Sequence, residues 1–341
     1  MAARVRHALS LVRVLAPAIY VATLSAFVLR DGVPVARDRL LMWIVLGLLA
    51  VSVSNFRGWA RGVVVDWLPL ALVLWAYDLL RGQADGLLFS AHFRPQLEAD
   101  ALLFGGTVPT VWLQERLWHG SWDLRWYDYA AWGVYVSYFL ATYLLAAALW
   151  FFARERFRRY VATVSLLALM GFATYALFPA APPWLASREG ELEWTTRTIS
   201  LVSGHVPVLD FGTLFERGAQ YANPVAAVPS LHAAYTLLVA VYLWPVARRA
   251  RPLLAAYPVA MTFALVYTAE HYLVDVLIGF AYTLAAVWAV DRMAASDRLA
   301  VPALALHRVA SRASHRSTSS AACGPSRSGR ASSRARSRDR S

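Results

Sequence analysis

Residues 128–151 read DYAAWGVYVSYFLATYLLAAALWF, and this stretch decides the class of fold. Beyond Asp128 it carries no charged side chain. A helix needs about 20 apolar residues to cross a hydrocarbon core of roughly 30 Å, and the stretch supplies them. Working outward, comparable runs lie at 9–29, 39–54 and 63–80 on one side, and at 160–179, 229–246, 253–269 and 271–291 on the other. The second and third runs are short. The last two nearly touch and predict a tight helical hairpin. The expectation is an all-α, polytopic membrane helix bundle of about six to eight spans, with eight fitting the chain.

Composition agrees with that reading. Of 341 residues, 59% are hydrophobic and 16% charged, against about 25% charged in ordinary soluble domains. Mean hydropathy is +0.45. With one cysteine, these values exclude a disordered chain, a disulfide scaffold and a plain soluble enzyme. The first apolar run follows Arg4 and Arg6. A cleavable signal would have a shorter apolar core and a small-residue cleavage site, so the run reads as a retained helix. Arg13 is placed to snorkel toward lipid headgroups.

Charge sets the expected orientation, because Arg gathers on the cytoplasmic side of short loops. There is no Lys, so all 33 basic residues are Arg. Arg154, Arg156, Arg158 and Arg159 share one connection with a single acid, and Arg248, Arg249 and Arg251 share another with none. Arg57 and Arg61 sit between the second and third runs. The two long connections, 81–127 and 180–228, each carry more acids than arginines. Eight spans put every Arg-dense turn inside, both long loops outside, and both termini in the cytoplasm of a multi-pass cell-membrane protein. Three segments follow: N-terminal membrane helices over 1–80, a catalytic membrane domain over 81–292, and an Arg/Ser-rich tail over 293–341. Residues 311–341 hold eleven Ser, eight Arg and one acid, a composition that predicts disorder. A polybasic tail of this kind suits anionic lipid heads, and no nucleic-acid partner is expected. Cys323 reads as a bystander. The sequence assigns no oligomeric state.

Ionisable groups near membrane depth are costly and mark function. Two histidines open apolar runs on the expected outer face. His271 and Asp275 are four apart, which puts them on one helix face. The carboxylate can then take one ring proton and leave the other nitrogen as nucleophile or base. His232 lies in Ala227-Val-Pro-Ser-Leu-His232, where Pro229 and Ser230 suit a helix start. The amides of such a helix end attract phosphate. Two histidines and one aspartate at adjacent outer helix ends point to phosphoryl transfer through a phosphohistidine.

At these residues the sequence resembles the type 2 phosphatidic acid phosphatase (PAP2) superfamily. Residues 227–232 and His271-Tyr-Leu-Val-Asp-Val276 are similar to its second and third motifs. Leu103–Gln114 and Phe178–Trp184 look like signatures of its inositol phosphorylceramide synthase branch, with sphingomyelin synthases as a cousin. The resemblance covers about 98–290. It implies a core of six helices and a lipid substrate. It assigns attack on phosphorus to His271, orientation to Asp275 and protonation of the leaving alkoxide to His232, with neither metal nor other cofactor.

The resemblance has gaps. Leu265 stands where classical phosphatases carry an Arg, and Arg94-Pro95 matches only the end of their first motif. The phosphate clamp is therefore unassigned, with Arg94, Arg188 and Arg197 as candidates. Ser230, Asp100 and Gln114 are the other candidate substrate- or phosphate-binding residues; the last two could equally tie down a loop. Ser203-Gly204-His205 spells the phosphatase second motif better than 230–232 does, but it lies 66 residues before His271 rather than 39 and is read as loop. Pro182, Pro183 and Trp184 shape an outer lid, and Gly279 permits close helix packing. The leading expectation is a lipid phosphotransferase; the alternatives are a phosphatase acting on phosphatidic acid or polyprenyl phosphates and, from another class, a transporter. The transporter would need buried mid-span charges and broken helices in matching halves, and neither is visible.

Overall fold

The structure is a computed structural model and describes residues 2–31, 37–83, 89–206 and 223–320. It divides into two units, Met1–Val290 and Asp291–Ser341. Among the described residues the first unit is helical throughout, apart from isolated backbone bridges. The α-helices among the described residues are α1 (Ala2–Asp31), α2 (Arg37–Ser52), α3 (Phe56–Gly62), α4 (Leu68–Gln83), α5 (Arg94–Leu103), α6 (Pro109–Leu117), α7 (Trp126–Phe152), α8 (Arg154–Leu177), α9 (Pro183–Arg188), α10 (Thr198–His205), α11 (Leu231–Leu243), α12 (Arg251–Tyr267) and α13 (Leu273–Ser320), the last of which starts in the first unit and continues into the second. Six helical stretches are long and apolar enough to cross a membrane, and α2 and α11 are shorter apolar helices. All eight runs read from the sequence thus fall on helices, and the all-α polytopic fold stands.

Local chemistry explains the ends. Proline occupies the first turn of α5, α6, α9 and α12, where its missing N–H costs nothing. α8 stops at Leu177, just before Phe178-Pro179, because a residue preceding proline is pushed out of the helical region. In α7, Asp128 accepts the Arg125 amide at 2.7 Å, and it also accepts the Tyr267 hydroxyl, which ties α7 to α12.

α11 packs on α7, α8 and α12; α7 also meets α2, α8, α10 and α12, and α4 lies on α8. Tyr160, Leu167, Ala168 and Leu238 are fully buried at the centre. Phe152, Leu177, Leu253 and Trp288 face outward, as lipid-facing side chains do. A polar clip joins the N-terminal helices to this bundle. The Asp66 carboxylate, in the π-turn between α3 and α4, accepts from Trp150 Nε1 at 3.0 Å and pairs with Arg154 at 2.5 Å.

One expectation needs correction. Ser203-Gly204-His205 is the last turn of α10 rather than loop, with Ser203 Oγ accepting from Trp132 Nε1 at 3.0 Å. Arg57 and Arg61, between the second and third expected runs, lie on α3, which the Asn55 side chain starts by accepting from Gly58 N–H at 3.2 Å. Helix α13 runs to Ser320. Cys323 and residues 321–341 of the expected tail lie outside the described residues.

The long connections are folded. His92, Ala180 and Ala226 form a short parallel backbone bridge: Ala181 N–H donates to His92 O at 2.9 Å, and Ala227 N–H donates to Ala180 O at 3.1 Å. This bridge, α5, α6, α9 and α10 gather at the end of the bundle where α7, α11 and α13 begin. The Arg-rich turns 153–159 and 247–251 lie at the other end of the same helices.

Candidate active site

Ser230 caps α11, its hydroxyl accepting from Ala233 N–H at 3.4 Å. Its own N–H donates to the Asp275 carbonyl at 3.0 Å, so the starts of α11 and α13 are fastened together. A Cβ on Gly279 would collide with the Ser230 carbonyl, so only glycine admits this approach. One turn further in, Thr283 Oγ1 donates to Ala234 O at 2.9 Å.

Helix α12 ends in a turn that delivers the second histidine. Ala269 N–H donates to Val266 O at 3.2 Å and Glu270 N–H to Leu265 O at 3.0 Å, the paired bonds of a Schellman cap. Ala269 holds φ at +62°, where glycine is usual. That strain, of about 1–2 kcal/mol, sits two residues before His271.

The packing brings three side chains together. His232 Nδ1 lies 3.3 Å from His271 Nε2. His271 Nδ1 lies 3.5 Å from Asp275 Oδ2. Both partners are buried, Asp275 completely. If His271 carries its proton on Nδ1, facing the carboxylate, Nε2 keeps its lone pair and can accept from His232 Nδ1–H. Tyr135 stacks on the His232 ring at 4.9 Å, Tyr138 meets it at 4.4 Å and Phe139 edge-on at 6.3 Å. These three aromatics went unnoticed in the sequence, although their i, i+3, i+4 spacing on α7 marks one helix face.

The other site residues read from the sequence divide. Ser230 stands at the helix end beside His232. Arg94 is mostly exposed and pairs with Glu191 at 3.1 Å. Arg188 likewise pairs with its neighbour Glu189. Gln114 donates to Thr196 O (2.8 Å) and Tyr267 O (2.7 Å) and accepts from Thr196 N–H (2.7 Å), so it stitches α6 to the 190s loop and α12. Asp100 is fully buried and accepts the Leu273 and Val274 amides, each at 2.9 Å. Both thus spend their polar atoms on backbone. Burial pushes the Asp100 carboxyl up to about 6; its two amide bonds pull the other way, and Asp275 adds to the rise.

Arg197 is placed differently. Its fork grips Glu270, with Nε at 2.6 Å and Nη2 at 3.0 Å, and its guanidinium lies 4.7 Å from the Trp184 ring centre. Burial works to lower its pKa, but the Glu270 carboxylate overrides that and holds it above the usual arginine range; the field of Tyr135 adds to the effect. Glu270 adjoins His271 in the chain, and nothing in the sequence singled it out. No group of three or more metal-ligating side chains occurs among the described residues.

The chain is 34% identical over 146 residues to a phosphoinositol dihydroceramide synthase of Bacteroides thetaiotaomicron, covering 39% of this chain and 46% of that one. It is 30% identical over 158 residues to the inositol phosphorylceramide synthase catalytic subunit of Schizosaccharomyces pombe, covering 45% and 37%. The chain thus spans less than half the length of either relative. No solved structure matches it. The family model of the PAP2 superfamily matches residues 110–289, more than half of the sequence and including both histidine motifs. The chain belongs to the PAP2 superfamily.

Proposed function

We propose that this protein is a membrane phosphotransferase that moves a phosphate-linked headgroup from one lipid to an alcohol acceptor through a phosphohistidine at His271. The observation that carries the reading is the chain of contacts from Asp275 through His271 to His232 at 3.5 and 3.3 Å. Nε2 of His271 attacks phosphorus, forming an N–P bond while the P–O bond to the donor lipid breaks. His232, starting as an imidazolium, gives a proton to the departing alkoxide and becomes neutral. In the second half the acceptor hydroxyl returns a proton to His232, attacks phosphorus and breaks the N–P bond. Water in the acceptor's place makes the same cycle a phosphatase.

Reaction needs the attacking nitrogen about 3–3.5 Å from phosphorus, with the leaving oxygen beyond it. A 3.3 Å contact between the two rings is therefore the resting state, and a bound headgroup parts them. The first-turn amides of α11 and the Arg197 guanidinium are the groups that would hold the phosphate oxygens. The names of the relatives favour a phosphoinositol donor and a ceramide-type acceptor. The site opens to the outer leaflet, with the Arg-rich turns inside.

Phosphatidylinositol carrying a labelled phosphate, supplied in mixed micelles with and without dihydroceramide, tests the reading. Label should pass to the acceptor lipid; release as soluble phosphoinositol alone would make the protein a hydrolase. His271→Ala should abolish both outcomes while the protein still folds, and near-normal turnover in that variant would refute the covalent route.

A further inference from the structure

Helix α13 begins with amides that need acceptors, because the first N–H groups of any helix have none within it. Here the demand is met from two sides. Asp275, in the first turn, accepts the Tyr272 N–H through Oδ2 at 2.9 Å. Asp100, reaching across from α5, accepts Leu273 N–H on one oxygen and Val274 N–H on the other. The same Oδ2 of Asp275 faces His271 Nδ1 at 3.5 Å, and Oδ1 of Asp275 has no hydrogen-bond partner among the described residues. Asp275 is thus poised between two tasks, capping its own helix and orienting the nucleophile. Without Asp100, the Leu273 and Val274 amides, next to the Tyr272 amide that Asp275 already accepts, would compete for the Asp275 carboxylate, because buried amides left without an acceptor are costly.

We propose that Asp100 is a positioning residue: by taking the Leu273 and Val274 amides it keeps the Asp275 carboxylate on His271. Asp100 is fully buried and both its oxygens are engaged, so it does not touch substrate. Tyr272 and Asp275 are the ionisable groups whose charges act on it or feel it from α13 and the preceding turn. The inference rests on His271 as nucleophile.

A double-mutant cycle on the full-length protein, assayed with labelled phosphatidylinositol, separates this role from a merely structural one. Asp100→Asn keeps one carbonyl acceptor and loses the second. It should lower kcat about ten- to hundredfold with little change in KM, as small misplacements of reacting groups do. In an Asp275→Asn background, where the carboxylate is already gone, the same change should cost less than about twofold. Equal losses in both backgrounds, or no loss in either, overturn the proposal. Should Asp100→Asn not fold, Asp100→Glu, which keeps both oxygens on a longer arm, enters the same cycle with the same criterion. An inactive His271→Ala beside an additive cycle overturns only the role of Asp100; an active His271→Ala overturns the nucleophile reading itself.

Discussion

At the scale of single residues, the proposed chemistry rests on the two histidines, and one glycine makes their meeting possible. His232 touches His271 through the nitrogen that would carry a transferable proton. Its removal should therefore matter most when the departing group is a poor one. His232→Ala should slow turnover of lipid alkoxide esters far more than that of an activated aryl phosphodiester, and an equal loss on both would argue against proton donation. Gly279→Ala drives a methyl group into the Ser230 carbonyl. Overpacking of this kind costs about 1–3 kcal/mol, so the thermal midpoint should fall, and activity with it, because the displaced Ser230 begins the helix that holds His232. An unchanged midpoint would show that the helices yield. The two histidine motifs and Gly279 were legible in the sequence, since each depends on local spacing. Glu270 and the aromatic face of α7 were not, because their roles arise only when distant helices pack.

At the scale of elements, the start of α13 shows where sequence reading stops. The i, i+4 pairing of His271 and Asp275 follows from helix geometry. That Asp100, 173 positions away from Leu273, serves the same turn does not. The sequence could only place Asp100 and Gln114 in one long connection and leave headgroup binding and loop-tying as rivals; in the fold both are buried and bonded to backbone of distant segments. The buried Asp100 also gives the fold a pH signature. Its folded value near 6 lies above the ordinary carboxylate value of 3.8, so the folded protein holds this proton more tightly than the unfolded chain. The stability it contributes is fully present below about 3.8 and is lost as pH rises through about 6. Between pH 4 and 7 the thermal midpoint of the native protein should fall relative to that of Asp100→Asn, and parallel curves would remove Asp100 as the cause.

For the whole molecule, the sequence yielded the membrane class and the helices, because both depend on apolar runs that survive any arrangement. It misread 203–205 as loop, because the eight-residue helix Thr198–His205 is too short to show an apolar run. The expected topology, with the termini inside, is open to a direct check through the single cysteine, Cys323. A membrane-impermeant maleimide should label it only after cells are permeabilised, whereas labelling of intact cells would invert the orientation. The bridge through His92, Ala180 and Ala226 bears on how the protein is made. These segments leave the ribosome far apart in time, and closing such long loops comes late in assembly. A nascent chain halted before Ala226 would already hold α1 to α10, ten of the thirteen α-helices among the described residues, yet lack the platform on which the candidate site is built.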